Sequence, residues 1–301
     1  MEPMPEMPEV EALRVFLAEN LVGRTVVRAD LAAISALKTF AIPLSALHGM
    51  EVTRVERHGK FIAVDVGGTW LVFHLARAGW LTWHDPVPAT PVRPGKGPLA
   101  LRVAFDGSAG GDGEADAAPV GFSLTEAGTQ KHLAVYVVAD LAEVAGIARL
   151  GPDPLADDFT RDDFAAVLAV HGRTQVKGLL KDQSVLAGIG NAYSDEILQA
   201  ARLSPFKLVG SLTDDEVTSL YGAVRTELAT AIDRAVGQEP AHLKDGKRTT
   251  MRVHGRKGEP CPTCGTPVAE VSFADSFLNY CPGCQTGGKL LADRRLSKLL
   301  K

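Results

Sequence analysis

All four cysteines of this 301-residue chain fall in its last 41 residues, as Cys261-Pro-Thr-Cys264 and, sixteen residues further on, Cys281-Pro-Gly-Cys284. Two Cys-x-x-Cys knuckles at that separation fit one tetrahedral metal site. Thiolates favour zinc. Four of them fill the coordination shell, so the expected cofactor is a single structural Zn ion with no open catalytic position. The folding constraint is strong: a module of about 40 residues buries too little apolar surface to fold alone, and metal binding must supply the difference. The amino-terminal stretch has no basic region followed by an apolar run, so it does not read as a secretory signal. A reducing, cytoplasmic setting follows, in which the cysteines act as ligands rather than disulfides.

Length permits more than one core. Hydrophobic residues at 46% and charged residues at 23% are those of a globular protein. No apolar run is long enough to span a bilayer. The formal net charge of −4 argues against a nucleic-acid partner, but its distribution argues for one. Residues 241–301 carry eleven Lys/Arg against five acids, a local net of +6. A basic end on an acidic chain is an electrostatic footprint for nucleic acid, or else a solvated tail.

The patterning suggests an α+β chain in three parts. Val10, Leu13, Leu17 and Leu21 make a helical stripe over residues 9–22 that stops at Gly23. Residues 50–140 read as strands, at 50–56, 61–66, 70–75, 99–105 and 133–138, and several strands after one helix predict a β-sandwich. Residues 107–119 are an acidic, Gly/Ala-rich insertion expected to be a mobile loop. Leu150-Gly-Pro-Asp-Pro-Leu155 reads as a linker. Beyond it the pattern is helical, at 164–170, 175–186, 191–201 and from Thr213, where Thr213 and Glu216 form a capping box. The expected domains are a sandwich over 1–149, a helical domain over 150–245 and a zinc module with a basic tail over 246–301. The chain shows no internal repeat.

Two further segments carry chemistry. Gly188-Ile189-Gly190-Asn191 lies between helices, where the glycines permit a tight turn and Asn191 can cap the next helix. Free N–H groups there suit a phosphate, although a plain helical hairpin has the same sequence. Met4-Pro5-Glu6-Met7-Pro8-Glu9 opens the chain's first helix. Were Pro5 the first residue, its secondary amine could attack an aldehyde-like carbon to form an iminium ion, with Glu6 moving protons. The same residues also make an ordinary Pro-rich helix start.

Taken together, the motifs resemble one family. They are Pro-Glu-Met-Pro-Glu-Val-Glu at 5–11, His-Gly-Lys-Phe at 58–61, Leu-Gly-Pro-Asp-Pro-Leu at 150–155, Asp-Gln-x4-Gly-Ile-Gly-Asn-x-Tyr-x-Asp-Glu at 182–196, Val-His-Gly-Arg-x-Gly-Glu-Pro-Cys at 253–261 and Tyr-Cys-Pro-x-Cys-Gln at 280–285. In this order, over nearly the whole chain, they look like the formamidopyrimidine-DNA glycosylase/endonuclease VIII family. The resemblance implies a helix with a β-sandwich, a helix–two-turn–helix domain and a zinc finger, with DNA held between the halves. It implies a monomeric repair enzyme of the cytoplasm and nucleoid, without an organic cofactor. Such an enzyme flips a damaged base out of double-stranded DNA, removes it and nicks the strand. Pro5 matches the nucleophile, Glu6 the acid/base and Lys60 the lysine that contacts phosphate and assists elimination. Asn191 matches a phosphate-binding asparagine and His74 a histidine near the DNA backbone. Arg256 is expected to contact DNA, and Cys261, Cys264, Cys281 and Cys284 to hold the metal.

The chain departs from that pattern in four places. Met1-Glu2-Pro3 precede Met4, so the amine exists only if synthesis begins at Met4. His74-Leu-Ala-Arg77 stands where the family's oxidised-purine branch has a wedge methionine, and that branch's Arg-Phe pair is not evident over 125–132; Arg77 is the candidate substitute. Ser276 occupies the place of an arginine that assists a second (δ) elimination. Residues 238–252 look short for the loop that reads oxidised purines. The departures keep two alternatives open: an abasic-site lyase that excises no base, and a non-catalytic protein that binds damaged DNA.

Overall fold

The computed structural model describes residues 4–95, 97–107, 117–128, 130–273 and 276–292. The expected mobile loop over 107–119 falls largely outside these residues, as do residues 1–3 and the basic tail from 293. The chain forms two compact units, Met1–Arg149 with Arg234–Asp245 and Leu150–Asp233 with Gly246–Lys301.

The first unit is a helix on a β-sandwich. Helix α1 (Met7–Leu21) buries Val10, Leu13, Leu17 and Leu21, the positions that its sequence spacing marks as one face. Each such side chain contributes roughly 1.5–3 kcal/mol on burial. The first sheet has the order β1 (Val26–Leu31), β6 (Leu99–Phe105), β7 (Val120–Glu126), β5 (Gly79–His84). The second has the order β2 (Val52–His58), β3 (Phe61–Val66), β4 (Thr69–His74), β8 (Ala134–Val138). All pairings are antiparallel. The core between the sheets is packed with Leu71, Phe73, Leu101, Phe105, Phe122 and Leu124. Gly67 and Gly68, both at positive φ, close the two-residue β3–β4 hairpin as a primed turn requires.

A short helix α2 (Ala145–Ala148) precedes the second unit. That unit contains α3 (Arg161–Ala169), α4 (Val176–Lys181), α5 (Asn191–Ala200) and most of α6 (Asp214–Ala235). The capping box appears as expected: Thr213 N–H donates to Glu216 Oε2 (2.9 Å) and Glu216 N–H to Thr213 Oγ1 (3.3 Å). Helix α4 stops at Lys181, shorter than its apolar pattern suggested, because residues 182–190 turn back on themselves. Helix α7 (Leu243–Thr250), a hairpin of β9 (Ala269–Ser272) and β10 (Phe277–Tyr280), and α8 (Pro282–Thr286) follow. Residues 234–245 return to the first unit, where Leu243 is buried in the sandwich core and Trp80 Nε1 donates to the Pro240 carbonyl at 3.0 Å. Among the described residues no helix is long and apolar enough to cross a membrane.

Candidate nucleic-acid site and zinc module

Helix α1 starts from buried residues. Pro5 and Glu6 are both enclosed, and Glu6 is only 1% exposed. Glu6 is the N-cap; its N–H donates to Glu9 Oε2 at 2.8 Å, and its carbonyl accepts from Val10 N–H at 3.0 Å. The carboxylate of Glu9 in the first turn also complements the helix dipole.

Three loops of the first unit meet at one end of the sandwich. The β2–β3 turn carries Gly59 and Lys60, and its flanking residue Phe61 pairs with His74 at the end of β4. His74 in turn pairs with Ala134, where the β7–β8 loop ends. The β4–β5 loop, with Arg77 exposed at its tip, is closed by Gly79 N–H to Leu75 O (2.9 Å) and touches the β7–β8 loop through Ala127 N–H to Ala78 O (3.4 Å). So Lys60, His74 and Arg77 share a surface. The His74 ring lies 4.6 Å from that of Phe61. Its Nδ1 accepts from Ala76 N–H at 3.2 Å, which leaves the proton on Nε2. Burial, and then the nearby charge of Lys60, lower its pKa to about 4. The imidazole is therefore neutral at physiological pH, with one N–H to donate.

Sequence reading missed Glu126. This buried side chain accepts backbone N–H groups from His132 (2.8 and 2.9 Å) and Leu133 (3.0 Å). It thereby shapes the loop that exposes Lys131 and His132.

In the second unit, Gln183 closes the glycine turn: its Oε1 accepts from Gly188 N–H (3.0 Å) and its Nε2 donates to Ile189 O (2.7 Å). Gly188 has φ +89°, a conformation that favours glycine. Asn191 is not the N-cap of α5, contrary to its expected role; Gly190 is. The physical reason is that the Asn191 side chain is taken up elsewhere, donating Nδ2–H to Phe277 O at 2.8 Å. Glu196, also buried, accepts N–H groups from Arg252 (2.8 Å), Val253 (2.9 Å) and His254 (2.9 Å). Arg256 donates within this unit to Met251 O, to Thr249 O at 3.2 Å and to Glu259 Oε2 at 2.7 Å, three of its five N–H groups.

The four cysteine Sγ atoms lie within 4.8 Å of one another. Gly265 at φ +73° turns the first knuckle, and Cys284 N–H donates to Cys281 Sγ at 3.4 Å. The Thr266 hydroxyl and N–H hold Cys264 down to about 6, while burial and then the adjoining thiols push Cys284 up. Four thiols at this distance cannot all ionise without a cation among them, so the donor set fits one structural zinc. Gln199 of α5 donates to Thr263 Oγ1 at 3.0 Å and approaches Cys261 Sγ at 3.8 Å. Ser276 accepts from Phe273 N–H at 2.7 Å across the β9–β10 turn.

A sandwich bearing an N-terminal Pro-Glu helix, a helical unit with a glycine two-turn motif and a four-thiolate finger define a class of zinc-containing DNA-repair fold. Residues 4–113 match the formamidopyrimidine-DNA glycosylase N-terminal domain, 150–240 its H2TH domain and 258–287 the zinc finger found in FPG and IleRS. The chain belongs to the formamidopyrimidine-DNA glycosylase family. It is 34% identical to the formamidopyrimidine-DNA glycosylase of Symbiobacterium thermophilum, over 97% of this chain and 93% of that one. An uncharacterised formamidopyrimidine-DNA glycosylase-like protein of Mycobacterium tuberculosis is 55% identical over 50% of this chain and 94% of its own. Among solved structures, the MutM (Fpg) protein of Thermus thermophilus superposes with a TM-score of 0.75 at 30% identity, covering 95% of this chain and 100% of the other. A complex of Lactococcus lactis Fpg with DNA containing an abasic site has the same fold, with a TM-score of 0.78 at 22% identity over 93% and 99% of the two chains.

Proposed function

We propose that this chain is a DNA-repair glycosylase and abasic-site lyase that works on double-stranded DNA through Pro5. The family supplies the reaction class, and the substrates are damaged, oxidised bases and abasic sites in the DNA of the cytoplasmic nucleoid. The amine of Pro5, with Met4 as the initiator methionine that is removed, attacks C1′ of the deoxyribose. The bond from C1′ to the base breaks, and the base leaves with a proton. Opening of the sugar gives an iminium ion between Pro5 and C1′. Loss of a C2′ proton then expels the 3′ phosphate and nicks the strand. Glu6, at the same helix start, moves protons in these steps. Lys60 contacts the phosphate and assists elimination. Neutral His74 donates from Nε2 to the backbone, and Arg77 enters the space that the flipped base leaves. Asn191 and Arg256 face the DNA from the second unit, and Cys261, Cys264, Cys281 and Cys284 hold zinc, whose contribution is folding energy for the finger.

The observation that carries this reading is the sharing of one sandwich end by Lys60, His74 and Arg77, with α1 fastened to the same β2–β3 hairpin through Arg57 and Glu11 at 2.7 Å. The test is strand nicking of an abasic duplex by protein produced from Met4, beside the Pro5→Gly variant. Nicking by the first and not the second supports the reading. Equal nicking, or none from either despite retained DNA binding, sinks it.

A further inference from the structure

Arg57 lies on β2 with its side chain only 10% exposed. Its guanidinium reaches two ways. Nε donates to Glu11 Oε2 on α1 at 2.7 Å, and the adjoining NH1 donates to the Gly59 carbonyl at 3.2 Å. Gly59 immediately precedes Lys60 and has φ +57°, so the chain there bends as few side chains permit. The other oxygen of Glu11 is held by Arg14 Nε at 2.7 Å. The carboxylate thus has a partner on each oxygen, which fixes its orientation and with it the fork of Arg57. One planar group ties the helix that follows Pro5 and its N-cap Glu6 to the turn that carries Lys60.

A lysine side chain has four rotatable bonds, and its reach is set by where its backbone is held. Catalysis by positioned groups is sensitive to displacement: a misplacement of about 1 Å can cost on the order of 100-fold in rate. We propose that Arg57 is a positioning residue, braced by Glu11, that sets Lys60 against the amino terminus of α1 and so governs the elimination step. The proposal rests on the reading of Pro5, Glu6 and Lys60 given above. Arg57 touches no substrate in this account. Lysine cannot replace it, because one ammonium lacks the planar fork that serves a carboxylate and a carbonyl at once.

The experiment compares Arg57→Lys, Glu11→Gln, Lys60→Ala and the double variant Arg57→Lys/Lys60→Ala in single-turnover nicking of an abasic duplex. Affinity for a duplex with a tetrahydrofuran abasic analogue and thermal unfolding are measured alongside. Arg57→Lys is expected to slow nicking about tenfold or more, with affinity and unfolding temperature held. In the Lys60→Ala background the same change is expected to do nothing further, since it acts through a group already gone. Glu11→Gln, which keeps the shape but not the charge, is expected to give a smaller loss and serves if Arg57→Lys folds poorly. Full activity of Arg57→Lys and Glu11→Gln, or an equal loss from Arg57→Lys with and without Lys60, overturns the proposal. No nicking by the unaltered protein overturns the functional reading itself, and this inference with it.

Discussion

Lys177 Nζ and Asp195 Oδ1 stand 2.6 Å apart with side-chain exposures of 7% and 0%. Lys177 also donates to Ser194 Oγ at 2.7 Å and to the Asn191 carbonyl at 3.1 Å, and the second oxygen of Asp195 takes His254 Nδ1 at 2.7 Å and Asn279 N–H at 3.1 Å. A buried pair is weak support for net stability, but removing one member leaves the other charged and unsolvated. Lys177→Met is therefore expected to destabilise the second unit by about 3–5 kcal/mol. Trp70, Trp80 and Trp83 all lie in the first unit, so the two units can be followed separately. Chemical denaturation should show the far-UV dichroism of the helices lost early and the tryptophan signal unmoved. A shift of both signals together contradicts the assignment.

Zinc removal should have an equally local effect. Metal analysis of the purified protein is expected to give one zinc per chain, reduced by Cys261→Ser or Cys284→Ser. With a chelator, amide hydrogens of the β9–β10 hairpin and of residues 261–288 should exchange quickly while those of the sandwich stay protected. A finger that keeps its protection without metal would show that its small core suffices.

The pH dependence follows from His74. Its pKa falls from 6.5 unfolded to about 4 folded. The unfolded chain therefore binds the proton more tightly, and the contribution of a neutral His74 is present in full above pH 6.5. It is lost as the pH falls from 6.5 through 4. A full shift of this size corresponds to about 3 kcal/mol, and partial exposure reduces it to roughly 1–3 kcal/mol. Stability against pH, measured for the protein and for His74→Asn, should diverge only in that window, the protein losing more. Parallel curves would mean that His74 titrates normally.

Residues 265–280 contain no Arg or Lys, and the turn position that Ser276 occupies has only a hydroxyl to offer. A second elimination needs a donor at the phosphate, so nicking is expected to stop after the first, leaving the sugar remnant on the 3′ end. Gel analysis of the product distinguishes the two ends. Ser276→Arg is expected to add some second-elimination product; abundant second elimination in the unaltered protein refutes the reasoning.

Much of this was legible in the residues, for identifiable reasons. The α1 stripe, the apolar strands β3, β4, β6 and β8, and the cysteine spacing are patterns that burial itself imposes. Strands β1, β5 and β7 were not read. β1 is a half-exposed edge strand with Arg28 and Asp30 in it, β5 opens on a glycine, and β7 emerges from the Gly/Ala-rich insertion. Asn191 looked like a cap because capping is local, whereas its partner Phe277 is 86 residues away. Arg256 was expected to contact DNA, and its bonds to Met251, Thr249 and Glu259 were not legible, because they depend on how the turn after α7 folds. Glu126 gave no signal at all, and Glu196 showed only as the last residue of the 182–196 motif, with nothing to mark its role: an acid that gathers backbone N–H groups in a loop has no periodicity that announces it.

The central claim is that Pro5 is the nucleophile, and mass spectrometry of the trapped complex tests it most directly. Protein from the native host is incubated with an abasic duplex and borohydride, digested, and the peptide that retains the sugar remnant is sequenced. The account predicts one modified peptide, beginning at Pro5, with the reduced adduct on its amino-terminal nitrogen. An adduct on Lys60 or any other lysine, or a mature chain that still carries Met4 and forms no adduct, would contradict it.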